Sequence, residues 1–581
     1  MGVFKIDALV VGAGFGGIYQ LKKLLDLKLS VKVIDAADDV GGTWYWNRYP
    51  GAMSDTESFL YRYSWDVEDL KSYPWNRHYL QGPEILEYLE HVVERNNLRK
   101  HFQFNTELIG ATWSDAEERW IVETSVGDTF KSRYLVTALG LLSKSNIPNI
   151  PGIDSFKGQL HHTGRWPKGL DIRGKKVGVI GNGSTGTQVI TAVAKEVETL
   201  VCFQRTPQYS VPSGDREVAP GYRDDLNQKY TEVWKDAKNT MFAFGFQESD
   251  RPTFSVDEAE REKIFESAWQ KGGGFRFMFE TFCDISYDEA ANNAAADFIR
   301  KKISEIVKDP ETARKLTPTD YYARRPLCDS GYYEQFNRPN VKLVDLKETS
   351  ISQVVPQGVK LENGEVHELD LLVFATGFDA VDGNYSRIAI KGRDGRSLKD
   401  HWTAAGPVSY LGISVPDFPN MFMVLGPNGP FTNLPPTIET QVEFITDLIE
   451  IAELSRSRPT LNGESKSLST SNATADAVNG TPGYGPEVIE ATKEAEEEWT
   501  ELCDKLSSGS LFRKTDSWIF GANIPGKKPA VMFFFGGLAN YRSKLQEILA
   551  NNLQGFVRRG QGKGLAAPSN APVTQSVAVG S

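Results

Sequence analysis

The chain has no two cysteines close enough to form a CxxC motif; Cys202, Cys283, Cys328 and Cys503 stand apart. A disulfide-reductase relay needs neighbouring thiols beside its redox centre, so that class is excluded. No cysteines and histidines fall at zinc spacing, and no metal is expected. Isolated thiols of this kind suit a reduced, cytoplasmic setting. No apolar run approaches the length of a membrane span, the longest being AVMFFFGGLA. The first residues enter a strand directly and lack the layout of a secretory leader. A basic stripe is missing too. The 65 Lys and Arg against 76 Asp and Glu leave a formal charge of −11, which argues against nucleic acid as a partner.

Glycine is placed with purpose. The strand-like IDALVV from Ile6 is followed by GAGFGG, with Gly12, Gly14 and Gly17 in GxGxxG register and Phe15 between them. A helical stretch and a second strand, VKVID, follow and end at Asp35. Glycines let backbone approach a pyrophosphate, and a helix N-terminus favours its charge. The carboxylate can accept ribose hydroxyls and would repel a 2′-phosphate, so this unit suits FAD or NAD. The same grammar recurs in KKVGVIGNGSTGTQVITAVA, with Gly181, Gly183 and Gly186. Its second strand ends in Gln204, Arg205 and Thr206. A cation there fits a 2′-phosphate, so the second unit is expected to select NADPH, although a solvated surface arginine is the plainer alternative. An FAD-type unit and an NADPH-type unit in one chain describe a flavoprotein that takes hydride from NADPH. With disulfide reduction excluded, oxygen chemistry remains.

Between the two units stands FKGQLHHTGRWP, with Phe156, Gly158, His162, Trp166 and Pro167 at fixed intervals. It resembles the fingerprint of flavin-dependent Baeyer–Villiger monooxygenases. GGTWYWNRYPGAMSD, Gly41 to Asp55, is similar to that family's other signature. Segments starting at Arg324, Glu368, Asn420 and Asp516 look like its cyclohexanone monooxygenase branch, and the resemblance spans nearly all of residues 4–557.

The resemblance implies NADPH- and O2-dependent conversion of cyclic ketones to lactones through a flavin C4a-peroxide. It assigns Arg325 to holding the anionic oxygen species and Asp55 to orienting that guanidinium. A structural salt bridge is the bland alternative for this pair. Thr43, Trp44 and Tyr61 match flavin-contacting positions. Ser184, Thr185 and Gln188 match the NADP cradle, and Arg324 a residue meeting the 2′-phosphate, where lysine is the expected type. Trp518 matches a loop that closes over bound NADP. Phe431, Thr432, Leu434 and Phe533 match the ketone pocket, or are plain core residues. The fingerprint is expected to be a linker that couples cofactor state to domain orientation. GGGFRFMFETF from Gly272 fits either a pocket wall or a helical core.

The expected fold is α/β, with two Rossmann-like dinucleotide-binding domains. The FAD domain comprises 1–140 and 370–557. The NADP domain, 141–369, carries a mainly helical insertion near 215–320. Residues 456–487, rich in Ser, Thr, Gly and Asn, read as a flexible insertion, and 558–581 as a disordered tail. Two rival functions remain: an oxygenase of sulfides or amines, and a non-catalytic FAD/NADPH redox sensor.

Overall fold

Ala8 to Val11 are buried on both faces, as strands inside a parallel sheet must be. In the computed structural model, which describes residues 1–456 and 488–559, they belong to the strand Val3–Val11. Val31–Ile34 and Thr129–Thr137 flank it in parallel. The resulting sheet has eight strands. An antiparallel pair, Leu108–Ser114 and Arg119–Thr124, extends it from Thr129–Thr137. Three more strands complete it: Phe102–Gln103 on Val31–Ile34, Ala389–Lys391 on Leu108–Ser114, and Met421–Met423 on Thr129–Thr137. The helix Phe15–Asp26 leaves the first strand and packs on the long helix Leu434–Arg456. Tyr19 donates to Glu443 at 3.1 Å and Gln20 to Thr446 at 3.2 Å across that contact.

The second sheet is wholly parallel and has five strands. Their order is Val341–Asp345, Thr199–Gln204, Lys176–Ile180, Leu371–Phe374 and Gln159–His162. The helices between Tyr222 and Leu316 form the expected insertion region. Their apolar faces share one core with this sheet, in which Phe265 stacks on Phe277 and both rings meet Phe298 at a tilt.

Two expectations about the chain's division are corrected. The boundary at residue 370 falls before Leu371–Phe374, which is hydrogen-bonded inside the second sheet, so the return to the first sheet lies past Phe374. The fingerprint is not a free linker: Gln159–His162 is an edge strand of the second sheet. Most of the expected insertion 456–487 and tail 558–581 lies outside the described residues. Arg456 still closes its helix, and Arg558 and Arg559 belong to a strand paired with Val488–Ala491. Among the described residues no helix is long and apolar enough to cross a membrane, and no cluster of His, Cys, Asp and Glu could hold a metal.

Candidate active site

A long cleft opens at the C-terminal end of Val3–Val11. Gly12, Gly14, Phe15, Asp35, Thr43, Trp44, Tyr61 and Leu434 all line it. The helix Phe15–Asp26 starts there with no side chain capping it, which leaves its first amides for an anionic ligand. Gly17 lies beneath the loop and not on the cleft: a Cβ there would sit 1.7 Å from the Gly12 carbonyl oxygen. Its role is close packing of helix on turn. The Asp35 carboxylate accepts the Ala13 amide at 2.6 Å and the Ala37 amide at 2.7 Å. Burial raises its pKa, against the pull of those two amides. Trp44 donates its indole N–H to the Tyr61 hydroxyl at 3.2 Å, fixing two aromatic walls. The uncapped helix, the glycine turn and the terminal carboxylate fit the pyrophosphate and ribose of FAD.

The second glycine turn repeats this design. Ser184–Val193 begins without a side-chain cap, and a Cβ on Gly183 would meet nothing within 4 Å. Open space above an uncapped helix start fits a second dinucleotide phosphate. A Cβ on Gly186 would strike the Gly181 carbonyl oxygen at 2.2 Å, so these two serve packing. Arg205 is exposed at the strand's end beside half-buried Thr206. The Gln188 side chain has two partners within the protein. It accepts the Tyr49 hydroxyl at 2.7 Å and donates to the Met53 carbonyl at 3.1 Å, so its side chain joins this helix to the signature segment Gly41 to Asp55.

Asp55 ends that segment and forms an ion pair with Arg325. Each is about a quarter exposed, at 23% and 24%. Tyr61 of the first cleft feels the charges of both, and Tyr49, which touches Gln188, feels that of Asp55. The pair therefore lies between the first cleft and the second unit. Phe275 covers the guanidinium, its ring centroid 5.3 Å from the Arg325 carbon. Aromatic contacts run on from Phe275 to Phe431 at 6.0 Å and from Phe431 to Phe533 at 5.5 Å. Trp518 stands edge-on to Phe533 at 5.9 Å. Thr432 is hydrogen-bonded to Thr437 at the start of the long helix. Arg324 pairs with Asp320 and donates to the Asp516 carbonyl at 3.2 Å, just before Trp518.

Sequence reasoning missed three participants. Phe275 was left undecided between wall and core, and it is the residue on Arg325. Glu57 and Arg276 form an ion pair at 2.9 Å next to Asp55. Nothing in sequence spacing joins positions 57 and 276; the one available signal was an arginine inside an apolar aromatic run.

His162 is buried. Its Nδ1 accepts the Gly164 amide at 3.0 Å, so the Nε2–H donates to the Gly377 carbonyl at 3.0 Å. Burial pushes its pKa down to about 4. A neutral ring with both nitrogens engaged by backbone is a structural fastener and no general base.

A flavin-binding monooxygenase-like family model matches residues 5–229. A cyclohexanone 1,2-monooxygenase of Acinetobacter sp is 51% identical over 97% of this chain and 99% of its own length. A phenazine N-monooxygenase of Lysobacter antibioticus is 50% identical over 95% of this chain and 96% of its own. The solved structure of cyclohexanone monooxygenase from Rhodococcus sp. Phi1 bound to NADP+ matches with a TM-score of 0.90. It is 54% identical and covers 96% of this chain and 99% of that one. With its two dinucleotide sheets and the Asp55–Arg325 pair between them, the chain belongs to the flavin-dependent Baeyer–Villiger monooxygenase family.

Proposed function

We propose that this protein converts cyclic ketones to lactones with NADPH and O2, and that Arg325 and Asp55 are its catalytic residues. The observation that carries this is the Asp55–Arg325 ion pair, roofed by Phe275 and set between the two dinucleotide clefts. The first cleft would hold FAD, which would supply the activation of dioxygen with NADPH as the electron source. Arg325 keeps negative charge on oxygen favourable at any working pH, because a guanidinium does not lose its proton. It also stabilises the oxyanion that forms when the ketone carbonyl is attacked. Asp55 holds the guanidinium in one orientation. Phe275, Phe431 and Phe533 exclude water and offer an apolar surface to the ring of the ketone. Thr43, Trp44 and Tyr61 hold the flavin; Ser184, Thr185, Arg205, Thr206 and Arg324 hold the NADPH phosphates; Trp518 closes over that cofactor. Dioxygen and a ketone are the small-molecule partners, and the cytoplasm is the setting.

Gas chromatography of the product from cyclohexanone, NADPH and air tests this. Lactone should form from wild type, and Arg325→Ala should lower its rate by about a hundredfold or more, the scale seen when one oxyanion donor is removed. NADPH consumption with no ketone-dependent oxygenated product would sink the proposal. The phenazine N-monooxygenase, at nearly the same identity as the cyclohexanone enzyme, favours a second reading: oxygenation of a ring nitrogen or a sulfide. An electrophilic transfer of that kind needs no anion next to Arg325. Loss of lactone formation in Arg325→Ala, with sulfide oxidation kept, would separate the two chemistries.

A further inference from the structure

Asp55 has a second ion pair behind it. Glu57, two residues on, accepts one amino group of Arg276 at 2.9 Å, while the other amino group of the same guanidinium reaches Glu280 at 2.9 Å. Arg276 and Glu57 are each only 18% exposed. Burial raises the Glu57 pKa against the opposing charge of Arg276. A small cavity is bounded by Asp55, Glu57, Tyr79, Phe244, Phe275 and Arg276, so the Glu57–Arg276 pair and the carboxylate partner of Arg325 border one space.

The backbone around Arg276 is held with little slack. A Cβ on Gly272 would lie 2.4 Å from the Gly214 nitrogen, and one on Gly274 would lie 2.8 Å from the Leu327 carbonyl oxygen. The glycine run thus lets the short helix Gly274–Phe279 approach the strand that follows Arg325 at backbone distance. Phe275 is carried onto Arg325, and the next residue, Arg276, is carried to Glu57. Glu57 in turn shares a turn with Tyr61, whose amide donates to the Glu57 carbonyl at 3.1 Å. One fork therefore ties the helix that roofs Arg325 to the segment that carries both Asp55 and the flavin-cleft residue Tyr61.

We propose that Glu57 and Arg276 are positioning residues: their ion pair holds Phe275 across Arg325 and so sets how a ketone seats against the guanidinium. This rests on the reading of Arg325 given above. Neither residue is asked to touch substrate. A lysine at 276 would keep the charge but lose the planar fork that serves two carboxylates at once.

The test uses FAD-loaded full-length protein. Arg276→Lys and Glu57→Gln should each raise KM for cyclohexanone about tenfold, with kcat changed by less than about twofold, the mark of lost binding without lost chemistry. Anaerobic bleaching of the flavin by NADPH should keep its wild-type rate. Phe275→Ala should raise KM as well, and the Arg276→Lys/Phe275→Ala double variant should add nothing further, because both act through one ring. A pair that is merely structural would lower the melting temperature and leave KM alone. Additive KM changes in the double variant, or wild-type KM in folded Arg276→Lys and Glu57→Gln, would overturn the proposal; Glu57→Gln, nearly isosteric, keeps the test open where the lysine variant folds poorly. A wild type that makes no lactone but oxygenates a sulfide refutes the ketone reading alone, and the same KM comparison is then made on the sulfide. A wild type that oxygenates neither overturns both.

Discussion

His162 holds its proton cheaply only in the unfolded chain. Its ordinary pKa is 6.5, and burial in the folded protein lowers it to about 4. Between those values the unfolded state binds the additional proton, so stability falls as pH drops through this window and is fully present above 6.5. The gap corresponds to at most about 3 kcal/mol. Asparagine at 162 offers a neutral donor and acceptor of similar reach. We expect wild type to lose melting temperature faster than His162→Asn as pH is lowered from about 7.5 to about 5. Scanning calorimetry across that range reads the difference. Parallel slopes for the two proteins would mean that His162 is not the titrating group.

At the scale of elements, the segment after Trp518 is clamped to the crossing between the sheets. Lys527 donates to Asp379 at 2.7 Å and to Asp382 at 2.5 Å, and Lys144 donates to the other Asp379 oxygen at 2.9 Å. Asn523 adds a hydrogen bond to the Phe378 carbonyl at 2.9 Å. His162 grips the same crossing through Gly377. Two lysines and two aspartates balance, and Lys527 is only 16% exposed. Removing it leaves two carboxylates with one cation in a half-dry site. Breaking such a pair costs up to about 3–5 kcal/mol when fully buried, and less here because water reaches it. Lys527→Met should therefore free this loop, and chymotrypsin should cut after Trp518 or Phe520 about tenfold faster than in wild type, a local opening made easier by little more than 1 kcal/mol. Mass spectrometry of timed digests locates the cut, and unchanged cleavage would show that the clamp is not what holds the loop. This arrangement also marks where sequence reasoning stopped. The strand–glycine–helix–strand–acid order around Asp35 is local, so its chemistry was legible. Lys527 and Asp379 lie 148 residues apart, and Glu57 and Arg276 lie 219 apart, with no spacing rule to join them. The strand Leu371–Phe374 was assigned to the wrong unit for the same reason: its apolar run fits either parallel sheet, and only pairing decides.

For the whole molecule, charge poses a problem that the second site must solve. The formal charge is −11, and the cofactor it is proposed to bind carries several negative charges of its own. Long-range repulsion would make NADPH bind more tightly as salt screens it. A local cation at the phosphate would give the opposite trend. Arg205 is exposed and stands at the end of Thr199–Gln204, where the first unit has Asp35. Arg324 already shares its guanidinium with Asp320, so Arg205 carries the freer charge. We expect NADPH affinity to weaken with added salt in wild type, local attraction outweighing the global charge. Arg205→Ala should raise the NADPH Kd by about ten- to a hundredfold, the value of a charge-assisted contact to phosphate, and leave NADH nearly unchanged. It should also flatten or reverse the salt trend, since the molecule's net charge then faces the cofactor with less opposition. Fluorescence titration of both nucleotides at several ionic strengths reads all three effects. Equal losses for NADPH and NADH would mean that Arg205 does not contact the 2′-phosphate.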